Sequence, residues 1–178
     1  MKQIIIYKSK TGFTKCYAQW LCDALKCDCV SLDECKNTDD SGYNLSEYDV
    51  IIFGSSFRAG NIEELDWYKD NILPLKKINV VFVTGALPAN VPDVAKGLEQ
   101  GFTREELDEV TTFYLRSGLN YEDMSFSDKL MMKMFRSMLK SRKARTEEEK
   151  DLAELVQKSF DYTDPANLEP MLNYLQGL

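Results

Sequence analysis

Runs of apolar residues, bounded by polar turns, divide the chain into segments of strand length. They predict five strands, at residues 2–7, 30–32, 48–55, 78–86 and 110–115. Within the longer runs the apolar residues are continuous and do not alternate with polar ones, which is typical of strands covered on both faces. These strands are therefore predicted to form the middle layer of the fold.

Apolar positions between the strands recur at helical spacing. The segment Phe13–Leu25 follows the first strand in this way, and further helices are predicted after Asn61 and at residues 91–100 and 103–109. Strands that alternate with helices are joined by right-handed crossovers and lie parallel to one another. The prediction is an α/β fold of three layers, a doubly wound parallel sheet with helices on both faces.

A long amphipathic helix is predicted near residues 125–145. Two sets of apolar residues share its broad face: Phe126, Leu130, Met134 and Met138, and Met131, Phe135 and Leu139. From Lys129 through Arg145 there are seven basic residues and no acidic ones, so the rest of the chain has 15 basic against 29 acidic residues, a balance of −14. Three interpretations stay open: packing onto the sheet, a solvated basic face, or contact with an anionic membrane surface or a hydrophobic substrate.

Length and composition favour one globular domain over residues 1–178. The chain is 44% hydrophobic, and it has no internal repeat or flexible linker. Its apolar runs are far shorter than the roughly 20 residues of a membrane-spanning helix, and the amino terminus lacks a signal-peptide pattern. The prediction is a cytoplasmic protein, with peripheral contact at the inner face of the membrane left open through residues 125–145.

The residue types restrict the chemistry. Histidine is absent, which excludes catalytic dyads and triads that depend on it and histidine-ligated metals. The five cysteines are irregularly spaced between Cys16 and Cys35, so reduced thiols are expected and no metal site. No side chain is nominated as a catalytic acid or base, and any redox chemistry is assigned to a cofactor.

The turn after the first strand predicts a phosphate site. In parallel sheets ligands bind beyond the carboxyl ends of strands, which gives the loops 8–14, 55–61 and 84–90 as the candidate pocket. The first loop contains Ser9, Lys10, Thr11, Gly12, Phe13 and Thr14 at a helix amino terminus, where free N–H groups and the helix dipole favour an anion. It lacks the glycine patterns of nucleoside triphosphatases and dinucleotide-binding proteins. An ordinary polar turn is the alternative.

Together with residues 53–60, which read Phe-Gly-Ser-Ser-Phe-Arg-Ala-Gly, this turn resembles the flavodoxin family. The resemblance implies a flavodoxin-like sheet of five strands in the order 2-1-3-4-5 and FMN as cofactor, with its phosphate on the first turn. The flavin ring would be bordered by two loops, which supply Ser55, Ser56, Phe57 and Arg58, and Thr84, Gly85, Ala86 and Leu87. Arg58 would stabilise an anionic reduced flavin, hold a substrate carboxylate, or be an ordinary solvated arginine.

Three later segments resemble the flavodoxin-type menaquinone-dependent protoporphyrinogen oxidases of heme biosynthesis. They are residues 116–121, 128–134 and 161–164. The implied activity is electron transfer from a hydrophobic donor through FMN to quinone. Two alternatives stay open: an electron carrier that exchanges with a redox partner protein, and a binding module without flavin. The acidic net charge of −7 disfavours nucleic acid, and the oligomeric state is left open.

Overall fold

The structure is a computed structural model that describes residues 1–37, 43–58, 60–122, 124–141, 154 and 158–178, apart from the side chain of Leu139. The strands of the described residues are β1 (Gln3–Tyr7), β2 (Asp28–Ser31), β3 (Val50–Arg58), β4 (Asn61–Ile62), β5 (Ile78–Gly85) and β6 (Val110–Arg116). The helices whose bounds lie within these residues are α1 (Phe13–Leu25), α2 (Leu32–Lys36), α3 (Leu65–Asn71), α4 (Pro92–Gly101), α5 (Arg104–Glu109), α6 (Phe126–Ser141) and α7 (Glu169–Gln176).

Five of the strands pair in parallel in the order β2-β1-β3-β5-β6. Counted along the chain, these long strands have the order 2-1-3-4-5, so the predicted fold class is confirmed. The short strand β4 is an addition, which pairs antiparallel with the end of β3. Right-handed crossovers place helices on both faces of the sheet, which gives the predicted three layers.

Two apolar cores cover the two faces of the sheet. Successive residues of a strand point to opposite faces, so Ile5 packs with α1 and α7, whereas Ile4 and Ile6 pack with α3. Each core contains a partly buried tryptophan, Trp20 on the α1 face and Trp67 on the α3 face. Burial on both faces explains why the strand sequences are continuously apolar.

The chain after the third predicted strand differs from the predicted loop. β3 continues from Ser55 to Arg58 and turns back into β4, with Phe57 opposite Ile62. Gly60 has a φ of 83°, a left-handed conformation that glycine adopts at low cost and that suits a tight turn. The helix predicted after Asn61 therefore begins later, at Leu65.

Helix α6 contacts the rest of the chain through Met132 and Phe135, which pack with Leu119 beyond the sheet edge. Much of the predicted apolar face is turned away from this contact, since Phe126 and Met134 are exposed. Residues 142–145 of the predicted segment lie outside the described residues. Among the described residues, no helix combines the length and the apolar character that a membrane crossing requires.

Gly54 lies at the centre of the sheet, and a Cβ atom there would overlap the ring of Phe82, its partner on β5. We expect Gly54→Ala to lower the free energy of unfolding by about 1–3 kcal/mol, because a packed core does not accept added volume. Urea unfolding followed by circular dichroism measures the change. The matched control is Gly177→Ala, whose Cβ would meet no atom closer than 3.4 Å. Equal stability of the two variants would contradict this packing.

Candidate cofactor site

The three predicted loops meet at one edge of the sheet. Tyr7 at the end of β1 is in register with Gly54 on β3, and Ser56 on β3 is in register with Thr84 on β5. The loops that follow these strands therefore share the carboxyl edge, where ligands of doubly wound sheets bind. The fourteen residues predicted for the site lie on these strand ends and loops and, for Phe13 and Thr14, at the start of α1.

The first turn leaves the amino terminus of α1 open. Gly12 is its N-cap residue with a φ of 92°, and no side chain caps the helix. The Gly12 N–H donates to the Ser9 hydroxyl at 3.2 Å, and a Cβ at Gly12 would have no atom within 4 Å. Because the first N–H groups of a 13-residue helix have no partner within the helix, this corner suits an anion.

A cavity of about 360 Å³ adjoins this corner. Its lining includes three residues of the turn, Ser9, Lys10 and Gly12, and also Lys15 of α1. Lys10 and Lys15 bring two cations to the walls and Glu34 brings one carboxylate, and Ser9 is half-buried. The space and the positive charge at the helix terminus are both appropriate for a phosphate monoester.

The Thr14 hydroxyl does not point to the phosphate corner. Thr14 is buried, and its hydroxyl lies 2.8 Å from the hydroxyl of Thr84, which donates to the Ser55 carbonyl at 3.3 Å. Because Thr84 has one hydroxyl proton and gives it to Ser55, Thr14 donates to Thr84. These three residues thus connect the three loops, and the Thr14 hydroxyl belongs to the framework of the site.

The Glu63 carboxylate links the first turn to the β3–β4 hairpin through polar and charged side chains. It accepts from the Lys10 ammonium at 2.6 Å and from the Ser56 hydroxyl at 2.9 Å. The Arg58 guanidinium lies 3.8 Å from the same carboxylate. The side chain of Glu63 is only 13% exposed, so its charge is screened less by water than that of a surface carboxylate.

Arg58 is ion-paired and is not a free surface arginine. Its Nε donates to the Asp128 carboxylate of α6 at 3.2 Å, and this bond raises the pKa of Arg58. The pKa of Asp128 is lowered, first by the Ser125 hydroxyl that donates to it and then by Arg58. The hairpin is thereby attached to the first turn of α6.

Several groups predicted to border a ring are used within the protein. The Ser55 hydroxyl donates to the Glu63 carbonyl at 2.6 Å. The ring of Phe57 lies 6.1 Å from that of Tyr114, and Gly97 of α4 faces its edge. Phe57 is therefore half-buried and is held in place by Tyr114 and α4.

The loop 84–90 is held in place by Tyr114 and by an apolar cluster. The Tyr114 hydroxyl donates to the Leu87 carbonyl at 2.8 Å, and Gly85 leaves room for the Tyr114 hydroxyl. Ala86 and Leu87 pack into the small apolar cluster that α6 completes. The loop thus approaches the site with its backbone, while its side chains contact the protein.

Three residues of this site were absent from the sequence prediction. Glu63 and Asp128 are distant along the chain from the residues they pair with, and isolated acidic residues give no periodic signal. Tyr114 lies inside an apolar run and was predicted only as part of a strand. The sequence places Glu63 in the first turn of the helix predicted after Asn61, which gives no sign of its pairing with Lys10.

The cysteines form no site in the described part of the chain. None of the five forms a disulfide. Burial raises the pKa of the Cys27 and Cys29 thiols to about 12. They are therefore protonated at neutral pH, and a protonated thiol is a poor nucleophile and metal ligand. The described residues also contain no group of acidic residues and cysteines that could hold a metal ion.

The flavodoxin-domain profile matches residues 4–146, most of the chain. The chain belongs to the flavodoxin family. FMN is the cofactor of this family, so the predicted cofactor is confirmed at that level. The more specific resemblance to protoporphyrinogen oxidases is not part of this match.

Solved structures of flavodoxins resemble the chain at low sequence identity. A flavodoxin from the domain Archaea is 17% identical, with 89% of this chain and 100% of that chain covered and a TM-score of 0.42. A WrbA-like flavodoxin from Agrobacterium tumefaciens is 14% identical, with coverages of 88% and 97% and a TM-score of 0.45. Oxidised flavodoxin 1 from Bacillus cereus is 17% identical, with coverages of 80% and 99% and a TM-score of 0.38. Likenesses this distant carry no argument about activity. No curated protein matches the chain.

The residues at the flavodoxin phosphate corner fit FMN. The uncapped helix terminus, the Ser9 and Thr11 hydroxyls and the unobstructed Gly12 supply donors and space for a phosphate. The ring border fits through backbone rather than side chains, because Ser55, Phe57 and Leu87 are engaged within the protein. When bound, FMN would supply the redox chemistry, and these residues would hold and orient it.

The framework role of Thr14 gives a testable result. We expect Thr14→Val to lower the free energy of unfolding of the flavin-free protein by about 1 kcal/mol, because it removes a buried hydrogen bond without changing the size of the side chain. The control Thr11→Val removes an exposed hydroxyl of the same turn and leaves stability within about 0.5 kcal/mol. Urea unfolding measures both. If Thr14→Val were as stable as the native chain, the three-loop connection would be refuted.

Proposed function

We propose that this flavodoxin-family chain binds FMN at the carboxyl edge of β1, β3 and β5, with the phosphate on the turn 9–14. The observation that carries the proposal is the open amino terminus of α1, where Ser9 and Gly12 line a cavity and Thr11 is exposed beside them. Backbone N–H groups of Phe13 and Thr14 would donate to the phosphate oxygens, and Lys10 would add positive charge. The Thr14 hydroxyl would keep its contact with Thr84.

The isoalloxazine ring is proposed to lie between the β3–β4 hairpin and the loop Thr84–Leu87. Ser56 and Arg58 border it on one side, and Gly85, Ala86 and Leu87 on the other. The apolar cluster of Leu119, Met132 and Phe135 behind Leu87 would limit the access of water to the ring. Such exclusion strengthens electrostatic interactions between a flavin and its surroundings.

The reaction class proposed first is an FMN-dependent oxidoreductase resembling menaquinone-dependent protoporphyrinogen oxidase. The support is the resemblance of residues 116–121, 128–134 and 161–164, together with the exposed apolar face of α6 beside the ring loops. A hydrophobic donor and a quinone acceptor would both favour an apolar approach to the flavin. The second candidate is an electron carrier, which is favoured by the acidic charge outside residues 129–145, since such a field steers basic redox partners.

The phosphate assignment is tested by comparing FMN with riboflavin. We expect quenching of flavin fluorescence to show FMN binding, and Thr11→Val to weaken FMN roughly ten-fold while riboflavin binding stays the same, because a hydrogen bond to a charged group is lost. Glu63→Gln should instead tighten FMN several-fold, because a negative charge that holds Lys10 is removed. The effect should shrink at high salt. A protein that takes up neither flavin would support the flavin-free alternative.

The reaction class is tested with the FMN-loaded protein. We expect anaerobic transfer of electrons from protoporphyrinogen to a menaquinone analogue, followed by porphyrin fluorescence, at rates that depend on bound FMN. The electron-carrier alternative predicts no turnover of this donor and rapid exchange with a flavodoxin reductase. Porphyrin formation at the same rate without the protein would leave the oxidase proposal without support.

A further inference from the structure

Helix α6 carries an exposed apolar strip that the rest of the described chain does not cover. Its members are Phe126, Leu130, Met131, Met134 and Met138, with exposed fractions of 86%, 50%, 37%, 66% and 46%. Four of them follow at intervals of four residues and so lie along one side of the helix. Scattered exposed apolar residues are ordinary, but a contiguous row of this length indicates an interaction surface.

The strip is not the face that holds α6 in place. The helix packs on the domain through Met132 and Phe135. Its first turn is fixed by the ion pair between Asp128 and Arg58. Phe126, Leu130 and Met134 point away from both anchors, and Met131 lies at the edge of the strip beside Phe135. A partner can therefore cover the strip without displacing the helix.

A basic stripe borders the apolar strip. Lys129, Lys133, Arg136 and Lys140 recur at intervals of three and four residues, beside Phe126 and Leu130 around the helix axis. Lys133 and Lys140 are exposed, whereas Arg136 is half-buried and the Lys129 ammonium donates to the Glu122 carbonyl at 2.8 Å. The only acidic residue of the helix, Asp128, is neutralised by Arg58. The helix is therefore cationic on a chain whose net charge is −7.

We propose that the apolar strip docks on an anionic phospholipid surface. A Met-rich apolar face beside a row of cations is suited to lie in a membrane interface, with its apolar side chains among the acyl chains and its cations at the headgroups. Because the chain outside residues 129–145 carries a balance of −14, an anionic surface repels the rest of the molecule on balance. Charge thus selects the orientation as well as the partner.

A second copy of the chain is the less favourable occupant. Symmetric packing of strip against strip would bring two basic stripes into the same interface, where like charges repel. A lipid surface instead offers acyl chains to the apolar strip and anionic headgroups to the basic stripe. Docking there would place the loop Ala86–Leu87, which contacts α6 through Met132 and Phe135, close to the membrane.

The test is co-sedimentation of the full chain with vesicles of phosphatidylcholine, and of phosphatidylcholine mixed with phosphatidylglycerol. We expect binding to the anionic vesicles, weakened by salt, and little binding to the neutral ones. Lys133→Gln with Lys140→Gln should weaken binding roughly ten-fold or more. The matched control, Lys96→Gln with Lys158→Gln, removes two exposed cations elsewhere and should leave binding unchanged or slightly stronger.

A second pair of changes, Leu130→Gln with Met134→Gln, tests the apolar strip itself. Since both side chains are exposed, the melting temperature should stay close to the native value while vesicle binding falls. Absence of binding to anionic vesicles, or binding that these changes leave intact, would overturn the proposal. A doubled mass in sedimentation velocity that the same changes abolish would assign the strip to a second copy instead. Vesicle binding does not require FMN, so this result is independent of the proposed flavin site.

Discussion

Parallel pairing of β3 with β1 on one side and β5 on the other brings three strand ends to the same edge of the sheet. Every group of the candidate site depends on this pairing, because the loops that follow the strands are distant along the chain. The hydroxyls of Thr14 and Thr84 then hold the loops together at 2.8 Å, inside the fold. Strand pairing thus positions the candidate anion-binding corner. The turn itself supplies the free N–H groups.

Charge at the site is arranged before any ligand arrives. Glu63 holds Lys10 near the phosphate corner and also accepts from Ser56. This carboxylate keeps a cation in place, yet its own charge opposes an anion nearby. A phosphate that binds at the turn therefore competes with Glu63 for Lys10, and the balance between them sets affinity and salt dependence.

The strands of the sheet could be predicted because burial on both faces leaves continuous apolar runs, as in Val50–Phe53. Their order was implied by the resemblance to flavodoxins. The end of β3 beyond Ser55 could not be predicted, because Ser56 and Arg58 are polar and only their pairing with Thr84 and Asn61 makes them part of a strand. The orientation of α6 could not be predicted either. Met132 packs inward and Met134 is exposed, although both residues are methionine and the sequence cannot tell them apart. Long-range pairs such as Arg58 with Asp128 follow from the fold and have no local pattern.

The placement of one indole on each side of the sheet has a practical consequence. Trp20 contacts Tyr17 edge to face at 5.5 Å, while Trp67 lies 6.3 Å from Phe53 in the opposite core. The chain has only these two indoles, so replacing either one with phenylalanine isolates the emission of the other. Each layer of helices thereby has its own intrinsic optical reporter, and the order in which the two layers assemble during refolding becomes directly observable.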